Sequence, residues 1–155
     1  MDKSLIARVF PDKEISKIRS NLYNVGGQKI YFLSSIEHMT KANNPRYWFT
    51  YSENLFNQAA LICLIAHDSN VAFTIEKVVF NQIEYTKGNQ HNRGMFSIET
   101  NQSSTDFNLV GKDGNRINIT KYQTSLFQHD DIMAQAVALN HMLYGGKNEF
   151  SQVTK

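Results

Sequence analysis

GMFSIETNQSSTDFNLVGKDGNRINIT, residues 94–120, decides the fold class. Within it Phe96 and Ile98, then Phe107 and Leu109, then Ile117 and Ile119 recur at period two, the spacing that sends alternate side chains to one face of a strand. Lys112-Asp113-Gly114-Asn115 lies between the second and third pairs and has the residue types of a hairpin turn. Further on, Ile132, Ala136, Leu139 and Leu143 form one helical stripe, with Met133, Val137 and Tyr144 on the adjoining one. Asp130 and Asp131 suit the cap and first turn of that helix, and Gly145-Gly146 its left-handed stop. A meander closed by a helix that packs on the sheet is an α+β arrangement.

Working back towards the N-terminus, Pro11 suits a first helical position, Ile15, Ile18 and Leu22 follow at helical spacing, and Gly26-Gly27 ends the segment. Lys29 to Leu33 and Tyr47 to Tyr51 are rich in aromatic and branched residues and predict strands. Asn54 to Ala66 is apolar around nearly its whole circumference, which fits a central helix or a buried strand; its length favours the helix. Val71 to Tyr85 alternates for longer than one strand usually runs, so a bulge or bend is expected near Val78-Val79-Phe80. The expected fold is therefore a single α+β domain over residues 1–146. It has a curved, mainly antiparallel sheet, N-terminal and central helices and a C-terminal packing helix, and residues 147–155 form a polar tail. This order of elements in the second half resembles pleckstrin-homology-like and other small curved-sheet modules.

The 155 residues, 41% hydrophobic and 19% charged, are those of an ordinary globular chain able to bury roughly two thirds of its unfolded surface. The formal net charge is +2, with both signs interspersed, so no basic stripe marks a phosphate-binding surface. The one cysteine, Cys63, excludes an internal disulfide and fits a reducing compartment. Its apolar surroundings, Ala59 to Ala66, predict an inert buried thiol, and that run is too short to cross a bilayer, which takes about twenty apolar residues. Starting with charges and without an apolar signal core, the N-terminus fits a cytoplasmic protein with no membrane partner.

The residues with chemical potential are few. His67-Asp68 and His129-Asp130-Asp131 combine imidazole with carboxylates, the donor set of a divalent-metal site if the two loops meet in space. Separately, Asp68 suits a turn and Asp130 and Asp131 a helix cap. His129-Asp130-Asp131-Ile132 is similar to the last acidic motif of phage terminase nucleases, a resemblance that implies aspartates holding a catalytic metal. Those nucleases also place an aspartate on an earlier strand, and neither Ile30 to Leu33 nor Tyr47 to Tyr51 carries one. Asp113 to Lys121 resembles the entry hairpin of KilA-N-type DNA-binding domains, though no aromatic-rich helix follows it.

His91 and Arg93, in a glycine-flanked loop, are candidate ligand-binding residues because a guanidinium and open amides can converge on an anion. Tyr47, Phe49 and Tyr51 share one strand face, with core packing expected for them and Trp48 behind. There is no Walker loop, dinucleotide fingerprint, zinc-ligand spacing or nucleophile elbow. These observations favour a non-catalytic binding module without a cofactor, with a protein partner preferred over a small ligand. The alternatives are a small metal-dependent nuclease or phosphohydrolase, or a nucleic-acid-binding accessory protein using Lys87, His91, Arg93 and the Lys41 to Arg46 turn. An exposed edge along Val71 to Tyr85 would also pair with a second copy to make a homodimer.

Overall fold

The computed structural model describes residues 3–39, 44–82, 86–87, 93–111, 114–126, 139–140 and 142–143. In chain order these form α1 (Lys3–Val9), β1 (Ile15–Arg19), β2 (Leu22–Val25), β3 (Gln28–Ser35), β4 (Glu37–Met39), β5 (Pro45–Ser52), α2 (Glu53–Gln58), β6 (Leu61–Ala66), β7 (Val71–Glu76), β8 (Thr86–Lys87), β9 (Arg93–Thr100), β10 (Phe107–Val110), β11 (Arg116–Asn118) and β12 (Gln123–Ser125). The protein is mixed α and β, mostly strand. In place of the expected curved sheet there are two six-stranded sheets. The first runs β1-β2-β3-β6-β7-β12; the second runs β11-β10-β9-β5-β4, with β8 beside β9.

The sheets share a core. Tyr31, Leu33, Ile62, Leu64, Phe73 and Ile75 from the first sheet pack with Tyr47, Phe49, Tyr51, Phe96, Ile98 and Leu109 from the second. On its other face the first sheet puts Tyr23, Ile30, Phe32, Cys63 and Ile65 against Ile6 and Val9 of α1. Its central strands are thus apolar on both sides. That is why Leu61–Ala66, all but the first residue fully buried, has no polar positions to reveal its period. The expected central helix over Asn54 to Ala66 is corrected to the six-residue α2 followed by β6. Ser52 caps α2, its hydroxyl accepting from the Leu55 amide at 3.4 Å.

The helix expected after Pro11 is also overturned. The helix lies earlier, at Lys3–Val9, and Ile15 to Val25 is the β1–β2 hairpin. Gly26 and Gly27, at φ +57° and +89°, form the two-residue turn from β2 into β3 instead of a helix stop. The Asn24 side-chain carbonyl accepts from the Gly27 amide at 3.0 Å and holds that turn.

Among the described residues all strand pairs are antiparallel except β3 with β6. Between those two the chain crosses to the second sheet, lays down β4 and β5, and returns through α2. The bend expected near Val79 is present: β7 ends at Glu76 and a 3₁₀ segment, Lys77–Gln82, follows and buries Val79 and Phe80. β7 lies between β6 and β12, but β12 pairs with Val71 to Phe73 alone, so among the described residues only the short stretch Thr74 to Glu76 of the expected long edge keeps an unpaired side. The meander β9-β10-β11 forms as the period predicts, Val110 facing Arg116 across the Gly111–Asn115 turn. Lys112 and Asp113 lie outside the described residues, as do Ile132, Met133, Ala136, Val137 and Tyr144 of the expected C-terminal helix. Its described residues, 139–140 and 142–143, are helical, but Leu139 and Leu143 do not pack on a sheet; they are 56% and 69% exposed. Both inner faces and the outer face of the first sheet are already covered.

Candidate functional site

The pleat that buries Tyr47, Phe49 and Tyr51 turns Arg46, Trp48 and Thr50 outward on the far face of the second sheet. The register places Arg46 opposite Glu99, Trp48 opposite Ser97 and Thr50 opposite Met95. On the other side of β9, Val110 faces Ser97, and Arg116 of β11 faces Val110. Ser97 is therefore a small residue between two large ones. The gap it leaves is a cleft of about 240 Å³ whose lining includes Arg46, Trp48, Met95, Ser97, Val110 and Gly111.

Charge at one end of the cleft is organised around Glu99. A single carboxylate oxygen, Oε2, accepts from Arg46 and, at 2.9 Å, from Arg116. Burial alone would raise the pKa of Glu99, but the hydrogen bonds and charges of the two guanidiniums outweigh it and hold the carboxyl below its ordinary value. Two cations against one anion leave this end positive. The Arg46 guanidinium also lies over the Trp48 ring, 5.2 Å from its centroid, and its buried Nε has no acceptor among the described residues. Trp48 is 44% exposed and Met95 is exposed beside it, a concentration of large apolar surface next to a cleft.

The residues expected from sequence lie elsewhere. His67 and Asp68 occupy the 3₁₀ turn between β6 and β7; the next residue, Ser69, is 2.7 Å from the Tyr47 hydroxyl. Arg93 opens β9 opposite Ser52, at the other end of β5. Tyr47 and Ser52 are five residue steps apart along the strand, about 17 Å, so the His67 turn and Arg93 belong to opposite ends of the sandwich. Arg93 acts electrostatically on Tyr31, whose hydroxyl accepts from the Ser52 amide at 2.9 Å; burial raises the Tyr31 pKa and these two contacts oppose it. His91, His129, Asp130 and Asp131 lie outside the described residues. Among the described residues no group of three or more His, Cys, Asp or Glu side chains could hold a metal ion, and no helix is long and apolar enough to cross a membrane.

A larger depression of about 680 Å³ lies between Asp12 to Ser16 and the Asn24 to Gly27 turn. It is more open, and charged residues of both signs and glycine backbone make up most of its wall. The Trp48 cleft is the better candidate because the exposed Trp48 and Met95 stand beside Ser97 and the Arg46–Glu99 pair there. No protein-family model matches this chain, and no curated protein or solved structure does. The chemistry of that face is what remains to read. The signal for it was in the sequence, since period two through Tyr47, Phe49 and Tyr51 leaves Arg46 and Trp48 on the opposite face.

Proposed function

We propose that this protein is a non-catalytic binding module that takes a polypeptide partner on the outer face of its second sheet, seating one apolar side chain in the cleft between Trp48 and Val110. The observation that carries the reading is Trp48 itself, a large exposed aromatic at the lip of a cleft, stacked by Arg46. Trp, Met and Arg are enriched at protein interfaces, and an anchor side chain in a pocket beside them is the usual hot-spot arrangement. Size separates this from small-ligand binding. Pockets for drug-sized ligands run from about 300 to 1,000 Å³, whereas 240 Å³ accommodates one large side chain. The cytoplasm as its location rests on the one cysteine.

Selection of displayed peptides on the purified protein, followed by amide chemical-shift mapping, tests the proposal. Selected peptides should share an apolar anchor, shift the amides of Met95, Ser97 and Val110, and lose binding to Ser97→Leu, which fills the cleft. Peptides that shift the Arg93 end instead, or no enrichment at all, would refute it. Calorimetry with Mg²⁺, Mn²⁺ and Zn²⁺ addresses the hydrolytic alternative: metal binding abolished by an Asp130→Ala, Asp131→Ala double variant would move the function towards a nuclease or phosphohydrolase.

A further inference from the structure

Trp48 stands beside a residue that cannot hold it. Its neighbour in the register of β9 is Ser97, too short to brace an indole, and Trp48 is 44% exposed. An exposed side chain changes rotamer within nanoseconds unless something fixes it. Among the described residues the group over the ring is the Arg46 guanidinium, 5.2 Å from its centroid. Stacking a cation on an exposed ring is worth less than the rotamer freedom an arginine gives up to stay there, so the stack alone would order neither side chain. The guanidinium is held from elsewhere, by the Glu99 carboxylate. We propose that Glu99 is the positioning residue of the binding face: through Arg46 it fixes the Trp48 ring at the lip of the cleft before any partner arrives. This rests on the binding face proposed above and names what sets its affinity.

Glu99 suits that role because it is itself tied from two sides. It lies on β9, inside the sheet, with 13% of its side chain exposed, and one oxygen, Oε2, accepts from Arg46 of β5 and, at 2.9 Å, from Arg116 of β11. Hydrogen bonds between ionised partners are the strong ones, and two of them converging from opposite sides restrict the carboxylate. The register sets where each arginine starts. Arg46 faces Glu99 directly, whereas Arg116 faces Val110, which faces Ser97, which faces Trp48. Arg116 and Trp48 therefore stand in one row on opposite sides of the cleft, three strand spacings or roughly 14 Å apart at the backbone. Both are linked to Glu99 in the row beside it, so the chain of contacts Arg116–Glu99–Arg46–Trp48 ties the two sides of the cleft together. Neither Glu99 nor Arg116 lines the cleft, and both act on it through Arg46. Ordering a side chain during binding costs affinity, and a ring ordered in advance removes that cost.

Trp48 is the only tryptophan, so its emission reports on this ring alone. The time-resolved fluorescence anisotropy of the free protein should decay at the tumbling rate of the whole molecule, with little faster component. Glu99→Gln and Arg46→Met should each add a fast local component. Arg116→Met should add it too, although Arg116 lies on the other side of the cleft; its side chain is 47% exposed, so the variant removes no core contact. Arg46→Lys keeps the charge but not the planar fork and should behave as Arg46→Met does. Glu76→Gln changes an exposed carboxylate on β7 of the first sheet and should leave the decay as in wild type. Circular dichroism checks that each variant is folded. With peptides from the selection above, Glu99→Gln and Arg116→Met should weaken binding about fivefold, the effect of having to order one large side chain. A ring already mobile in wild type, or one equally ordered in Glu99→Gln or Arg116→Met, would overturn the inference. Variants that loosen the ring and leave peptide affinity unchanged would overturn it too. Because the anisotropy is read without a partner, a failed selection would refute the binding face, and with it the claim on affinity, while the ordering of the ring by Glu99 is still decided.

Discussion

Glu99 on β9 and Arg46 on β5 are paired across the outer face of the second sheet by a charge-assisted hydrogen bond, at the positions where the two strands are in register. Because the folded pKa of Glu99 lies below its ordinary value, its contribution to stability is present above the unfolded carboxylate pKa of about 4.3 and is lost as pH falls through the folded pKa. Glu99→Gln should therefore destabilise the protein by about 2 kcal/mol at neutral pH. The difference from wild type should shrink as the pH is lowered below that of an ordinary carboxylate. Urea unfolding at a series of pH values measures both effects; a difference that stays constant into acid would contradict the pairing.

Gly94 faces Tyr51 in the register of β5 and β9, and an added Cβ there would come within 2.1 Å of the Tyr51 hydroxyl oxygen and 2.2 Å of the ring carbon that bears it. Tyr51 has little room to withdraw, its ring being packed between Phe56 and Phe96 at centroid distances of 5.0 and 5.6 Å. Gly94→Ala should cost about 3 kcal/mol through this overlap. In a Tyr51→Ala background the same change should cost far less, a coupling that thermal melts of the four proteins would measure as a double-mutant cycle.

The two faces of β5 should respond differently to truncation. Phe49→Ala removes a ring stacked on Phe96 in the shared core, 5.7 Å between centroids, and should cost about 4 kcal/mol. Trp48→Ala should cost no more than about 1 kcal/mol, chiefly the Arg46 stacking. Equal losses in denaturant unfolding would mean that Trp48 is part of the core after all.

Cys63 is fully buried on the α1 side of the first sheet, and burial pushes its thiol pKa up to about 12, the Thr74 hydroxyl acting weakly in the other direction. The native thiol should be silent to a disulfide-exchange reagent at pH 8, labelling only at the rate of global opening. Addition of denaturant should then release one thiol per chain. Rapid native labelling would place Cys63 near solvent.

Local signals carried well where a strand has one face in the core. The alternation in Phe96 and Ile98 and in Phe107 and Leu109 was readable because Ser97 and Asn108 mark the positions between, and in Tyr47, Phe49 and Tyr51 the aromatic residues themselves recur at period two. It failed for Leu61–Ala66, where α1 on one side and the second sheet on the other make both faces apolar. It failed again at Ile15 to Leu22, where two isoleucines and a leucine at helical spacing belong to two strands of a hairpin. The candidate site was half legible. Arg46 and Trp48 were visibly on one strand face, but the cleft beside them depends on Ser97 from β9 and Val110 from β10, brought together by register between segments distant in sequence.

The amino-acid sequence by itself determined a globular chain rich in short alternating strands, a buried and unpaired cysteine, and the absence of any catalytic or nucleotide-binding motif, because composition, period two and motif spacing are local properties. Tertiary structure alone decided that the strands divide into two sheets, that the apolar run at Leu61 is a strand, and that His67 and Arg93 lie at opposite ends of the sandwich. Strand pairing is non-local: which face of a strand is covered, and which small residue comes to lie between two large ones, is set by neighbours tens of residues away.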